Sequence, residues 1–431
     1  MRRFCVPLLC TALLPTFALG QVTTPASSPT SISVQASATK SAGLTLELAL
    51  QTAFRQNPQL RIAELEVEAN KGAVQQAGII PNPSLGFEQQ DTGRATRQTT
   101  FQLSQPIELG GKRSARMELA NSGQEVAMAE LAMRRAELRA VTTQAFFEAL
   151  IAQERVRVAE ESLKIVASGT AATARRVTAG KISPTEETRA RVAEANVRIE
   201  LRQAQADRLA ALRSLVLVMG SPANSIDQLD GRPETLPIPQ GNEAINDRLM
   251  KSPVLRRARG EVRRAQAAYE LERARRIPDV TVSLGAVRSQ DFGRDQPIVG
   301  LSIPLPLFDR NQGAQLQALR RLDAAQVQAE AEEARLRSEV LQAADQLQAR
   351  TSEVQALQQE VLPGAQSAYE AASRGFELGK FGFLDVLDAQ RTWLLARTQY
   401  LNALGEAHRA SAELERRLGS ANDRPELGNQ P

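Results

Sequence analysis

The chain has 431 residues, with 53 Lys and Arg against 49 Asp and Glu, two cysteines and one histidine. So few ligands exclude a Cys/His zinc site, and charges interleaved along the chain exclude the clustered basic face that nucleic-acid binding needs. Aromatics are 4% of residues, and beyond residue 20 no apolar run approaches the about 20 residues of an α-helical membrane span.

The opening "MRRFCVPLLCTALLPTFALG" reads as a cleaved secretory signal over residues 1–20. Arg2 and Arg3 form its positive region, Phe4 to Leu19 its short apolar stretch, and Ala18 and Gly20 its small cleavage-site residues. Cys5 and Cys10 leave with it. Leu9 stands where a lipoprotein signal has a small residue before the cysteine, so lipidation of Cys10 is not expected. Residues 21–43, rich in Ser, Thr, Pro and Ala, read as a flexible leader. With a signal and no spanning helix, the expected product is exported, and its remaining route into a bilayer is a β-barrel.

A helix is predicted from about Thr45 to Gly78, stopped by Pro81-Asn82-Pro83, where proline lacks the amide a helix uses. "SLGFEQQ" then alternates, with Leu85 and Phe87 on one face. After a turn at Asp91–Arg97, "TTFQLSQPI" places Phe101 and Leu103 on one face, with Gln105 in the same phase. Such period-two patterning marks strands with one apolar and one polar face. A long helix follows from about Gly111 to Ser168, then a Gly180-Lys181 turn and a further helix.

The second half repeats the first. A helix leads into "VTVSLGA", where Val280, Val282, Leu284 and Ala286 share a face. In "IVGLSIPLP", Val299, Leu301, Ile303 and Leu305 do the same. A helix is predicted from about Gln312 to Arg374, kinked at Pro363-Gly364, followed by a Gly379-Lys380 turn. Pro58 and Pro253 are 195 residues apart, Pro81 and Pro278 197, Pro106 and Pro304 198, Gly180 and Gly379 199, and Gly220 and Gly419 199. Anchors this regular indicate a tandem duplication. We divide the chain into a first repeat (44–240), a second repeat (241–420) and a C-terminal tail (421–431). Each repeat is a helix, a β-hairpin and a long helix pair. At 1.5 Å per residue the long helices reach roughly 85–95 Å, so the molecule is elongated.

Four strands of about ten residues fit a bilayer when tilted. Four cannot close, and an open sheet edge in lipid leaves amides unpaired, so further copies of the chain are needed. On this reading Leu85, Phe87, Phe101, Leu103, Val280, Val282, Leu284, Val299, Leu301 and Ile303 face lipid. The competing reading is a periplasmic domain with two hairpins packed on its helices.

The duplicated order, the "NP" of the first helix, "IPNPSLG", "LSQPIELGGKR" and "GKFGFLDVLDAQR" together resemble the TolC family of outer-membrane efflux proteins, over about Leu44 to Gly419. "QPIELGGKRSAR" and "LGKFGFLDVLDAQRT" are most similar to its CzcC-like heavy-metal branch. The resemblance implies an α+β membrane protein: a homotrimer with a 12-stranded outer-membrane β-barrel continuous with a periplasmic α-barrel. It also implies an exit duct that conducts passively, with an RND inner-membrane transporter and a periplasmic adaptor as partners. The expected cargo is heavy-metal cations such as cobalt, zinc, cadmium or nickel. Alternatives are a drug-efflux or type I secretion duct on the same fold and, in another class, a soluble periplasmic scaffold or adaptor.

In this family the ends of the long helix pairs form a periplasmic tip ringed by aspartates. Asp385 and Asp388 match those positions, and three copies would bring six carboxylates into one constriction, repelling anions and attracting cations. Read from the residues alone, they are acids that complement a helix N-terminus. Where some members have a tyrosine and an arginine that lock the tip, this chain has Phe376 and Phe381. In the first repeat, Glu186 and Arg189 take the places of the two aspartates. Arg176, Gly180, Lys181, Ser183, Phe376, Gly379, Lys380 and Phe381 are the expected adaptor-docking residues of the tip. His408, alone in a polar helical segment, reads as a surface residue. No enzyme, cofactor or resident metal is expected.

Overall fold

The computed structural model describes residues 43–419 apart from 92, 94–95, 221–227 and 291–292. The signal, all but the last residue of the leader, and the C-terminal tail lie outside the described residues. The first expected helix is two helices, α1 (Leu46–Gln56) and α2 (Pro58–Ala77). Pro58 has no amide to continue α1, and the Asn57 side chain caps α2 by accepting from the amides of Gln59 and Leu60. The Asn57 side-chain Nδ2 also donates to the Val218 carbonyl at 3.0 Å, so this break is a docking point.

Strands β1 (Ser84–Gln90) and β2 (Gln98–Ile107) form the first hairpin. Helix α3 (Lys112–Thr178) then runs 67 residues, about 100 Å at the α-helical rise. It extends ten residues past the expected end because Gly169 does not break it. An interior glycine costs only about 1 kcal/mol, and here Val166, Thr170 and Thr173 are buried around it. Helix α4 (Pro184–Met219) returns antiparallel.

The second half has α5 (Asn242–Met250), α6 (Pro253–Ala274), β3 (Val280–Ser289), β4 (Arg294–Ser302), α7 (Gln312–Ala356), α8 (Leu362–Glu377) and α9 (Phe383–Leu418). Between α7 and α8 lies a π-helical stretch, Leu357–Val361. The irregularity thus falls just before Pro363 rather than at it. A proline ring collides with the carbonyl four residues back, and widening the preceding turn relieves that collision. Strand β4 ends at Ser302 because Pro304 and Pro306 supply no ladder amides. Ile303 and Leu305, expected within the strand, lie beyond it.

One sheet joins the halves, in the order β1-β2-β3-β4, all antiparallel. The junction pairs Leu103 with Leu284, Gln105 with Val282 and Ile107 with Val280. Directly paired residues share a sheet face, so Leu85, Phe87, Phe101, Leu103, Val280, Val282, Leu284, Val299 and Leu301 all lie on one side. Phe87 and Phe101 contact at 5.1 Å between ring centres. Leu85 is 77% exposed and Leu301 67%. The other side is mostly polar, with Ser84, Glu88, Gln102, Ser104 and Ser283, and the last two hydroxyls are 3.2 Å apart.

Helix α3 packs against α2, α4, α6 and α9. One core cluster is built on Phe146, Leu150 and Leu215. Burying each such side chain is worth about 1.5–3 kcal/mol. The repeats close alike. A side chain on Gly220, at the end of α4, would collide with the Gln56 carbonyl, and one on Gly419, at the end of α9, with Pro253. His408 corrects the surface expectation. It is 6% exposed, its ring stacks on Phe147 with centres 3.5 Å apart, and its Nε2 donates to the Pro233 carbonyl at 2.9 Å. Burial pushes its pKa below the ordinary histidine value, although the Pro233 hydrogen bond acts the other way.

Candidate functional site

The two Gly-Lys turns have the same hydrogen-bonded build. After α3, Gly180 N donates to Val177 O and Lys181 N to Arg176 O, both at 2.9 Å. After α8, Gly379 N donates to Phe376 O at 3.0 Å and Lys380 N to Gly375 O at 2.8 Å. Both are Schellman endings, which need a left-handed residue after the helix. Gly180 and Gly379 supply it, at φ 66° and 74°, a region costly for residues with a side chain. Sequence repetition therefore becomes geometric repetition.

The helices leaving the turns start differently. Ser183 caps α4 by accepting from the Thr185 amide at 3.3 Å, and Arg189 pairs with Glu186 at 3.3 Å. At the start of α9, the Asp385 carboxylate accepts from the Gly382 amide at 2.8 Å. It satisfies one of the free donors of a helix start. Asp388 lies one turn on, exposed, and among the described residues its carboxylate has no hydrogen-bond or ion-pair partner. The first-repeat acid Glu186 is thus ion-paired with a neighbour, and neither second-repeat aspartate has an ion-pair partner among the described residues.

Of the expected docking residues, Gly180, Lys181, Ser183, Gly379, Lys380 and Phe381 are exposed. Arg176 and Phe376 are not free surface. The Arg176 guanidinium lies over the Phe376 ring, 4.0 Å from its centre, and its Nη2 donates to the Phe376 carbonyl at 3.3 Å. The end of α3 is thereby bound to the end of α8. Phe381 folds back onto Gly375, where a side-chain carbon would overlap its ring. Further from the turns, Glu161 accepts from Arg397 at 2.8 Å, and that hydrogen bond holds its carboxyl below the ordinary range despite partial burial. Arg397 lies over Trp393, which stacks on Tyr369 at 5.4 Å. Local sequence reading missed the Arg176–Phe376 and Glu161–Arg397 links because those partners are 200 and 236 residues apart.

Among the described residues no three His, Cys, Asp or Glu converge to hold a metal ion, and no helix is long and apolar enough to cross a membrane. The arrangement is an acid-bearing, tightly turned tip at one end of long helices and a two-faced sheet at the other.

The outer membrane efflux protein family model matches residues 49–221 and again 244–420. The chain is 43% identical over 97% of its length, and over all of the relative's, to the cobalt-zinc-cadmium resistance protein CzcC of Cupriavidus metallidurans. It is 29% identical over 64% of each chain to the nickel-cobalt-cadmium resistance protein NccC of Alcaligenes xylosoxydans xylosoxydans. Among solved structures it shares the fold of CusC, with a TM-score of 0.73 and 20% identity over 87% of this chain and 92% of that one. The chain belongs to the outer membrane efflux protein family. It is an efflux channel protein of the outer membrane and not an enzyme.

Proposed function

We propose that this efflux protein is the exit duct of a tripartite pump that expels heavy-metal cations, with cobalt, zinc, cadmium and nickel as the cargo class. The observation that carries the cargo reading is the 43% identity, end to end, to a cobalt-zinc-cadmium resistance protein. The repeats 44–240 and 241–420 act as two similar halves of one protomer. Strands β1 and β4 each have an unpaired edge within one copy, and unpaired amides in lipid are costly. Three copies joined edge to edge make a twelve-stranded barrel in the outer membrane, its apolar side against lipid and its polar side around the lumen. The long helices continue it into the periplasm as an α-barrel.

Asp385 and Asp388 of three copies form the cation-attracting aperture, and the exposed turn residues around Gly180-Lys181 and Gly379-Lys380 receive the periplasmic adaptor. An RND-type inner-membrane transporter supplies the energy, and the duct conducts passively. A strain lacking the protein, challenged with zinc, cobalt, cadmium, nickel, copper and hydrophobic drugs, tests the reading. Loss of metal tolerance is expected. Loss of drug tolerance alone would overturn the metal assignment and favour a drug duct on the same fold.

A further inference from the structure

The helical end of the sheet carries an exposed apolar belt. All four strand–helix junctions contribute to it: Ile79 and Ile80 before β1, Leu109 after β2, Ile277 before β3, and Leu305, Leu307 and Phe308 after β4. Phe308 is 92% exposed, Leu305 75% and Leu307 66%. The junctions are knitted together. Ile277 packs on Gly110, Leu109 N donates to Asp279 at 3.1 Å, and Asn311 donates to the Glu272 carbonyl at 2.9 Å.

Charge follows the belt closely. Lys112 pairs with Asp279, Arg116 with Glu108 and Arg275 with Glu272. Three more arginines have no carboxylate partner among the described residues. Arg276 adjoins Ile277, Arg310 follows Phe308 by two residues, and Arg113 follows Leu109 by four. Arg310 donates to the Pro306 carbonyl at 3.3 Å and Arg113 to that of Gly78 at 2.8 Å, so two of the three are held at the junction by backbone. The tyrosines and the tryptophan, which usually anchor a protein at a membrane surface, all lie on α6, α8 and α9. The anchoring groups at this junction are Phe308 and arginine.

We propose that this junction is a binding collar for anionic phospholipids of the periplasmic leaflet. Phe308 and its leucine neighbours enter the acyl region, and Arg113, Arg276 and Arg310 take the headgroup phosphates. The belt continues the apolar sheet face into a junction where, among the described residues, these three arginines outnumber the one carboxylate without an ion-pair partner, Asp309, which accepts from the Asn311 amide at 2.8 Å. Arginine's fork of donors matches phosphate oxygens. The proposal rests on the membrane-spanning reading of the sheet.

The test places a single tryptophan at Phe308→Trp or, separately, at Leu301→Trp, each in a Trp393→Phe background. The full-length trimer is reconstituted in phosphatidylcholine vesicles with or without one part in three phosphatidylglycerol, using brominated lipids as quenchers. The tryptophan at 308 is expected to be quenched at least twofold more by brominated phosphatidylglycerol than by brominated phosphatidylcholine. Arg113→Gln/Arg276→Gln/Arg310→Gln should erase that preference, as should Arg310→Gln alone in part. Equal quenching by the two lipids overturns the collar. Quenching at 301 with none at 308 also overturns it, since a second copy would then cover the belt. No quenching at either position overturns the membrane reading itself.

Discussion

Arg176 and Phe376 join the two helix-pair ends of one protomer through a single ring face and a single carbonyl, the guanidinium carbon standing 4.0 Å from the ring centre. A cation over an aromatic face at this range is worth about 0.5–1 kcal/mol when exposed. Arg176→Ala should therefore loosen the tip by about two- to fivefold in open probability, read as conductance in planar bilayers. Arg176→Lys should restore part of the contact, since lysine keeps the charge but not the planar stack. Unchanged conductance in Arg176→Ala would exclude the contact as a restraint on the tip.

Asp385 and Asp388 differ in local task, which makes them separable. Asp385, third residue of α9, reaches back to the Gly382 amide at the helix start, so Asp385→Ala should cost about 0.5–1.5 kcal/mol in stability. Asp388→Ala should leave thermal unfolding unchanged. Both should weaken cation preference and block by divalent cations added from the periplasmic side, the double variant most. If selectivity is identical in wild type and double variant, the aspartates serve the helix start only.

His408 gives the fold an acid-sensitive point. Its folded pKa lies below the ordinary 6.5, so between those two values the unfolded chain binds more protons than the folded one. Stability then rises with pH across that window. It is complete above about 6.5, falls as the pH drops towards the folded value, and levels off below it. His408→Gln should flatten this step in denaturant titrations between pH 7 and 5, at some cost in stability from the lost Phe147 stack. An unaltered slope would mean that other groups cause it.

The two faces of the sheet make opposite predictions. Leu301→Arg places a charge on the apolar side, a cost of about 2–4 kcal/mol at mid-bilayer, and should reduce heat-resistant trimers. Glu88→Arg, exposed on the polar side, should assemble normally. Ser283 is a poor probe of that side, being 6% exposed and bonded to Ser104. Normal assembly of Leu301→Arg alongside failure of Glu88→Arg would reverse the proposed facing.

Much of this molecule was legible in its residues taken locally. The alternation of Leu85 and Phe87, or of Val280, Val282 and Leu284, states which side chains share a sheet face, because a strand's period is two whatever it pairs with. Gly180-Lys181 and Gly379-Lys380 announce turns because a Schellman ending depends on one left-handed residue and its neighbours. The duplication follows from spacing alone.

Only the tertiary structure decided where distant surfaces meet. Nothing local in "GEAHRASA" says that His408 lies beneath Phe147 and Pro233, and its polar neighbours suggested the surface. Nothing local pairs Arg176 with Phe376, joins β2 to β3, or carries α3 through Gly169. Helix and strand periods arise within a few residues of backbone. Burial and pairing depend on which faces the rest of the chain brings alongside, and a buried histidine or a stacked arginine is stable only because a partner far along the sequence replaces the water it loses.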